Sequence, residues 1–186
     1  MKRYFILLFI VIGSLDMAYS QRMAPRSIAL EVGAGVLSAT EPGSNHFFSA
    51  ALEVYAKNGA YQYWGVDYSY REAGYKSGKF PVETYSFEGG YSVRLLSGRR
   101  KVASLNAALT GVAGYEVFNR GKVLLDNGAK ILNEEGFIYG LAGRLSIDVF
   151  LSDHFSLVLY GKAKYFWATT GQALRPGAGM GLRYNF

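Results

Sequence analysis

"TYSFEGGYSVRL", Thr84 to Leu95, decides the fold, because its two faces differ in size as well as in polarity. Read with the two-residue period of a strand, Tyr85, Phe87, Gly89, Tyr91, Val93 and Leu95 share one face, and Thr84, Ser86, Glu88, Gly90, Ser92 and Arg94 share the other. A soluble barrel also alternates, with its apolar residues inside. A face turned to water, however, carries bulky Lys, Glu and Gln more often than this one does. The lumen of a narrow eight-stranded barrel instead needs small residues and a few charges that pair with one another. The stretch therefore reads as a strand with large side chains toward lipid and small polar ones inward.

The same contrast holds to either side. Leu105, Ala107, Leu109, Ala113, Tyr115 and Val117 alternate with Asn106, Ala108, Thr110, Val112, Gly114 and Glu116. Further on, Tyr139, Leu141, Leu145, Ile147 and Val149 alternate with Gly140, Ala142, Arg144, Ser146 and Asp148. Eight such runs are predicted, at about 28–38, 46–57, 61–72, 82–95, 102–117, 137–151, 155–168 and 175–186, and no segment sustains a helical period. "KNGA" at Asn58–Gly59, "SGRRK" from Ser97 and "SDH" from Ser152 are tight connections. "ATEPGSN", "AGYKSGKF", the stretch 118–136 and "TTGQAL" are looser. Short turns on one rim and longer loops on the other are the pattern of an outer-membrane barrel.

Lys2 and Arg3 precede an apolar run from Tyr4 to Leu15 that is short for a membrane helix, and Ala18 and Ser20 stand at the small-residue positions before Gln21. Residues 1–20 are thus predicted to be a cleaved secretory signal, and residues 21–186 one domain: an all-β, eight-stranded antiparallel up-and-down transmembrane β-barrel of the outer-membrane type. With 50% hydrophobic and 16% aromatic residues, the composition is unlike that of a disordered chain. No cysteine is present, which excludes both a disulfide framework and a lipid-modified cysteine. The net charge of +6 could suggest a nucleic-acid surface, but the charges are spread along the strands.

On the inward positions, Glu31, Glu53, Asp67, Glu88, Glu116 and Asp148 nearly balance Arg71, Arg94, Arg144, Lys162, Lys164, Arg175 and Arg183. Such balance is expected of a structural salt-bridge core, because buried charges must be neutralised. Trp64, Tyr68, Tyr70, Tyr85, Tyr115, Tyr139, Trp167 and Tyr184 lie toward run ends on the apolar face, where aromatic girdles meet headgroups. Leu182, Tyr184 and Phe186 place the last strand's apolar face at the final residue, in the form of a terminal signal for the barrel-assembly machinery.

Catalytic constellations are sparse. His46 and His154 fall on opposite rims, so they cannot share a site across a membrane of about 30 Å. His46 with Ser44 or Ser77 is the one nucleophile and base combination available, and a loop histidine is usually only solvated. Gly177, Gly179 and Gly181 alternate within a strand instead of opening a helix, so they form no phosphate loop. No metal cluster or cofactor motif is visible. Two surface features remain. Arg99, Arg100 and Lys101 make a basic turn on the short-turn rim, a candidate contact for an acidic periplasmic partner. In "VLLDNGAKIL", Val123, Leu124 and Leu125 and then Ile131 and Leu132 flank an Asp-Asn-Gly turn, which suggests a hairpin prolonging the fifth and sixth strands and a candidate partner surface.

Several pieces recur in order over nearly the whole mature chain: "QRMAPR" from Gln21, "ETYSFEGGYS" from Glu83, "GVAGYEVFNRG" from Gly111 leading into "GAKILN", "FIYGLAGRLS" from Phe137, "LSDHFSL" from Leu151, and "RPGAGMGLRYNF" from Arg175. On these pieces the chain resembles the TraO family of conjugal transfer proteins from conjugative transposons. The resemblance implies a noncatalytic outer-membrane component of a conjugative DNA-transfer apparatus, a type IV-like secretion machine. It carries no catalytic residues over. Its implied partners are outer-membrane lipid, the barrel-assembly machinery and other conjugal transfer proteins. Direct nucleic-acid contact is not expected, since an eight-stranded barrel is too narrow for DNA. The alternative is a free-standing small outer-membrane barrel serving adhesion or envelope stability, and the neighbouring genes discriminate between the two.

Overall fold

The computed structural model describes residues 26–37, 45–56, 59–75, 78–98, 102–121 and 135–186. The predicted signal segment, the basic turn Arg99, Arg100 and Lys101, the loop residues Val123, Leu124, Leu125, Ile131 and Leu132, and Ser44 and Ser77 lie outside these.

Eight strands form: β1 (Ile28–Leu37), β2 (His46–Tyr55), β3 (Tyr61–Tyr75), β4 (Gly78–Ser97), β5 (Ala103–Phe118), β6 (Gly136–Phe150), β7 (Phe155–Phe166) and β8 (Leu174–Asn185). Each pairs antiparallel with its sequence neighbours, and β8 pairs with β1, so the sheet closes in the order β1 to β8. Closure satisfies every strand edge internally, which a bilayer requires of any sheet that spans it. The seam is pinned at the end of β8, where the Phe186 N–H donates to the Ile28 carbonyl at 3.0 Å, while on the β7 side the Asn185 N–H donates to the His154 carbonyl at 2.7 Å.

The two faces are the reverse of those in a soluble barrel. Leu109 is 64% exposed and Leu145 57%, whereas Glu53 and Arg183 are fully buried. Large apolar residues on the outer wall and charges inside make a lipid-facing surface around a polar core. An apolar trough of about 830 Å³ runs over that wall between Phe48, Val66, Tyr85, Phe87 and Tyr115. Outer aromatics gather near the long-loop rim, with ring centroids of Tyr68 and Tyr85 5.2 Å apart and those of Tyr139 and Trp167 6.0 Å apart. At the other rim, Tyr184 contacts Phe155 at 5.2 Å and Phe186 at 5.0 Å.

One expected loop is strand instead. "AGYKSGKF" reads as a loose connection because Gly74 and Lys79 interrupt the alternation, yet β3 and β4 stay paired from Tyr61↔Ser92 up to Tyr75↔Gly78. Backbone pairing needs no alternating side chains, so the ladder continues where the pattern has lapsed. Pairing of β2 with β3 ends at His46↔Tyr70, and that of β4 with β5 at Val82↔Phe118, so the end of this hairpin extends past both neighbours. β4 has 20 residues against 12 in β7, which makes the β3 to β6 wall the taller side.

Candidate functional site

The inward charges sort into three layers. Nearest the rim where β1 begins and β8 ends, here the terminal rim, Arg183 bonds Glu31 and Glu53, both at 2.9 Å, and also Asp148 and the Tyr55 hydroxyl. Arg144 bonds the other oxygen of Glu31 and packs over the Tyr160 ring at 4.0 Å. Asn106 and Ser146 donate to Asp148 at 2.9 and 3.1 Å. Two cations here face three carboxylates.

In the middle layer, Lys164 reaches Glu88 at 2.6 Å and Asp67 at 2.9 Å, and Lys162 pairs with Asp67 while lying over the Phe47 ring at 3.6 Å. Two cations balance two carboxylates. In the layer toward the long-loop rim, Arg175 bonds Glu116 at 2.6 Å, Thr84 at 3.0 Å and the Gln172 carbonyl at 2.8 Å. Arg71 is more loosely held, 3.5 Å from Glu116 and 3.1 Å from the Gln172 side-chain oxygen. Thr169 donates to the second Glu116 oxygen at 2.6 Å. Two cations here share one carboxylate.

Burial of this kind demands partners, because an isolated charge in a low-dielectric interior is strongly unfavourable. Within the three layers the charges cancel, with one carboxylate in excess in the layer nearest the terminal rim and one cation in excess in the layer nearest the loop rim. Arg94 is half-buried near the terminal rim, and its guanidinium packs against Gly59 in the β2–β3 turn, where φ is +74°.

The inward face is less uniformly small than β4 suggests. Phe47, Tyr55, Tyr61, Tyr63, Tyr160 and Phe166 are buried inside among the charge layers. On β2 and β3 both faces carry bulky residues, so alternation is uninformative there. The signal lies on the adjoining strands, in the inward glycines of β1 and β8. A Cβ on Gly179 would stand 2.9 Å from Phe47 Cζ and 2.7 Å from the Ala34 carbonyl, so only glycine admits the ring.

His46 stacks on Tyr70 with centroids 5.3 Å apart on the loop rim, and His154 Nδ1 lies 3.0 Å from the Asn185 carbonyl on the other. Among the described residues, no group of three or more His, Cys, Asp or Glu could hold a metal ion. The inward side chains hold the wall rigid and fill the bore.

Solved structures similar to this chain include outer-membrane barrels. Neisserial surface protein A matches with a TM-score of 0.57 at 13% identity, over 86% of this chain and 97% of its own. The N-terminal barrel domain of Pseudomonas aeruginosa OprF matches with a TM-score of 0.52 at 7% identity, over 87% and 98%. Ail, the attachment invasion locus protein of Yersinia pestis, matches with a TM-score of 0.52 at 14% identity, over 86% and 97%. At such identities the likeness concerns the fold. No curated protein matches the chain. The family model described as conjugative transposon protein TraO matches residues 24–186. With nearly the whole chain covered, this outer-membrane-type barrel belongs to the TraO family of conjugative transposon proteins.

Proposed function

We propose that this chain is a noncatalytic outer-membrane component of the apparatus that transfers a conjugative transposon, acting as an anchor through its loops and rims. Its signal segment, residues 1–20, directs it across the inner membrane and is removed. The barrel-assembly machinery then inserts it with the short-turn rim in the periplasm. The observation that carries the anchoring role is the lumen, cross-bridged from Arg183 near one rim to Arg71 near the other by side chains that contact one another across the bore. A filled eight-stranded barrel passes neither DNA nor protein, so any contribution to transfer is made by surfaces that meet other transfer proteins.

The surfaces favoured are the long loop bearing Val123, Leu124, Leu125, Ile131 and Leu132 and the basic turn Arg99, Arg100 and Lys101, since the outer wall is occupied by lipid. The test is the frequency of conjugative transfer from donors lacking the gene, with and without its restoration. Loss of transfer that complementation repairs supports the reading. Unchanged transfer overturns it and leaves a free-standing barrel.

A further inference from the structure

The layer toward the loop rim has a cation to spare and a donor edge left open. Arg71 is 9% exposed, and its Nε is buried with no hydrogen-bond partner. Its Nη1 donates to Gln172, and its Nη2 makes only the 3.5 Å contact with Glu116. The Nε and Nη2 edge of a guanidinium presents two parallel N–H donors, the arrangement that two oxygens of one anion accept together. A buried donor left unsatisfied is unfavourable, so that edge is an incentive for a ligand.

The surroundings suit an anion. Among the described residues, Glu116 is the one carboxylate in contact with Arg71 or Arg175, and its two oxygens already accept from Arg175, Thr169 and Thr84. The side chains facing Arg71 are otherwise neutral or cationic: Gln172, Phe118 beyond Gly171, and Arg175 on the far side of Glu116. Above the guanidinium, Gly171 leaves the space of a methyl group: a Cβ there would lie 3.6 Å from Arg71 Nη2 and 3.5 Å from Thr169 Oγ1. Thr169 is half-buried and Gln172 exposed, so the layer is one short segment away from solvent.

We propose that this end of the lumen is a binding site for a phosphate group, held side-on by Arg71 Nε and Nη2, with Arg175 supplying further positive charge beside it. A soluble phosphate and a lipid phosphomonoester present the same chemistry to it.

The test is side-chain ¹H–¹⁵N spectroscopy of the full-length barrel in nanodiscs, with the Arg71 Nε resonance identified by its loss in Arg71→Lys. In phosphatidylcholine discs at fixed ionic strength, inorganic phosphate should move that resonance saturably where chloride does not. Arg71→Lys should weaken the matching shift at the Thr169 amide at least ten-fold, whereas Arg94→Gln, at the other rim, should leave it unchanged. Glu116→Gln removes the competing carboxylate and should tighten binding several-fold. Discs containing phosphatidic acid distinguish the sources: a shifted resonance without added phosphate identifies a lipid headgroup, and a shift only on adding phosphate identifies the soluble ion. No saturable shift in either disc, or undiminished binding in Arg71→Lys, overturns the proposal.

Discussion

Arg183 in the last strand is the register partner of Glu31 in the first, and its guanidinium bonds Glu31 at 2.9 Å with both side chains buried. The seam that closes the barrel is therefore also the site of its most heavily shared cation, which holds Glu53 and Asp148 as well.

Replacing Arg183 by Met should leave three buried carboxylates with Arg144 alone. Breaking a buried pair in this way costs about 3–5 kcal/mol. The urea midpoint of the refolded barrel, followed by its heat-modifiable gel mobility, should drop accordingly. Glu53→Gln should cost less than Glu31→Gln, because the layer carries one carboxylate in excess and Glu31 serves both arginines. The opposite ranking would refute the layer's charge assignment.

Salt should matter little. Interactions between buried charges are screened far less than those at a surface. The same urea midpoint should stay nearly constant between low salt and about 1 M sodium chloride, a range over which the Debye length falls to roughly 3 Å. A large decrease would mean that the ion pairs are open to solvent.

Gly179→Val should destabilise the barrel by about 1–3 kcal/mol through overpacking against Phe47 and the Ala34 carbonyl. Adding Phe47→Leu should recover part of the loss, since it removes the Cζ that the new side chain meets. Additive losses in the double variant would show that the two positions are not in contact.

Deleting Phe186 removes a ring packed on Tyr184 and one backbone bond to Ile28. The amount of barrel found in the outer membrane should fall severalfold, while the stability of barrel refolded from urea changes by less than about 1 kcal/mol, the worth of one hydrogen bond. Equal effects in both assays would make Phe186 only a packing residue.

Replacing the apolar positions Val123, Leu124, Leu125, Ile131 and Leu132 by Ser should lower conjugative transfer while barrel level and heat-modifiability stay unchanged. Transfer at the original frequency would remove this loop as a partner surface.

Much of the architecture is written locally. The two-residue period of Thr84 to Leu95, the size difference between its faces, the turn residues at Asn58–Gly59 and the apolar closing stretch suffice for strand number, facing and the order of tight and loose connections. Of these, strand number and facing survive in one dimension because strand geometry links each residue to its face without reference to any other strand, whereas the looseness expected of the β3–β4 connection did not hold. The extended β3–β4 hairpin was hidden because cross-strand backbone bonds, not side-chain pattern, sustain it. The inward aromatics of β2 and β3 were hidden because both faces of those strands are bulky.

The sequence by itself determined a barrel with lipid-facing aromatics, and a set of inward charges close to neutral. Only the tertiary structure decided how those charges are divided: Arg183 gathering three carboxylates at one end, Lys162 and Lys164 balanced in the middle, Arg71 left with an open edge at the other. The reason is that pairing partners come from strands far apart in the chain, Glu31 from β1 with Arg144 from β6, Asp67 from β3 with Lys162 from β7. Which of them meet depends on the stagger and tilt of a closed sheet, and those are properties of the ring of strands as a whole.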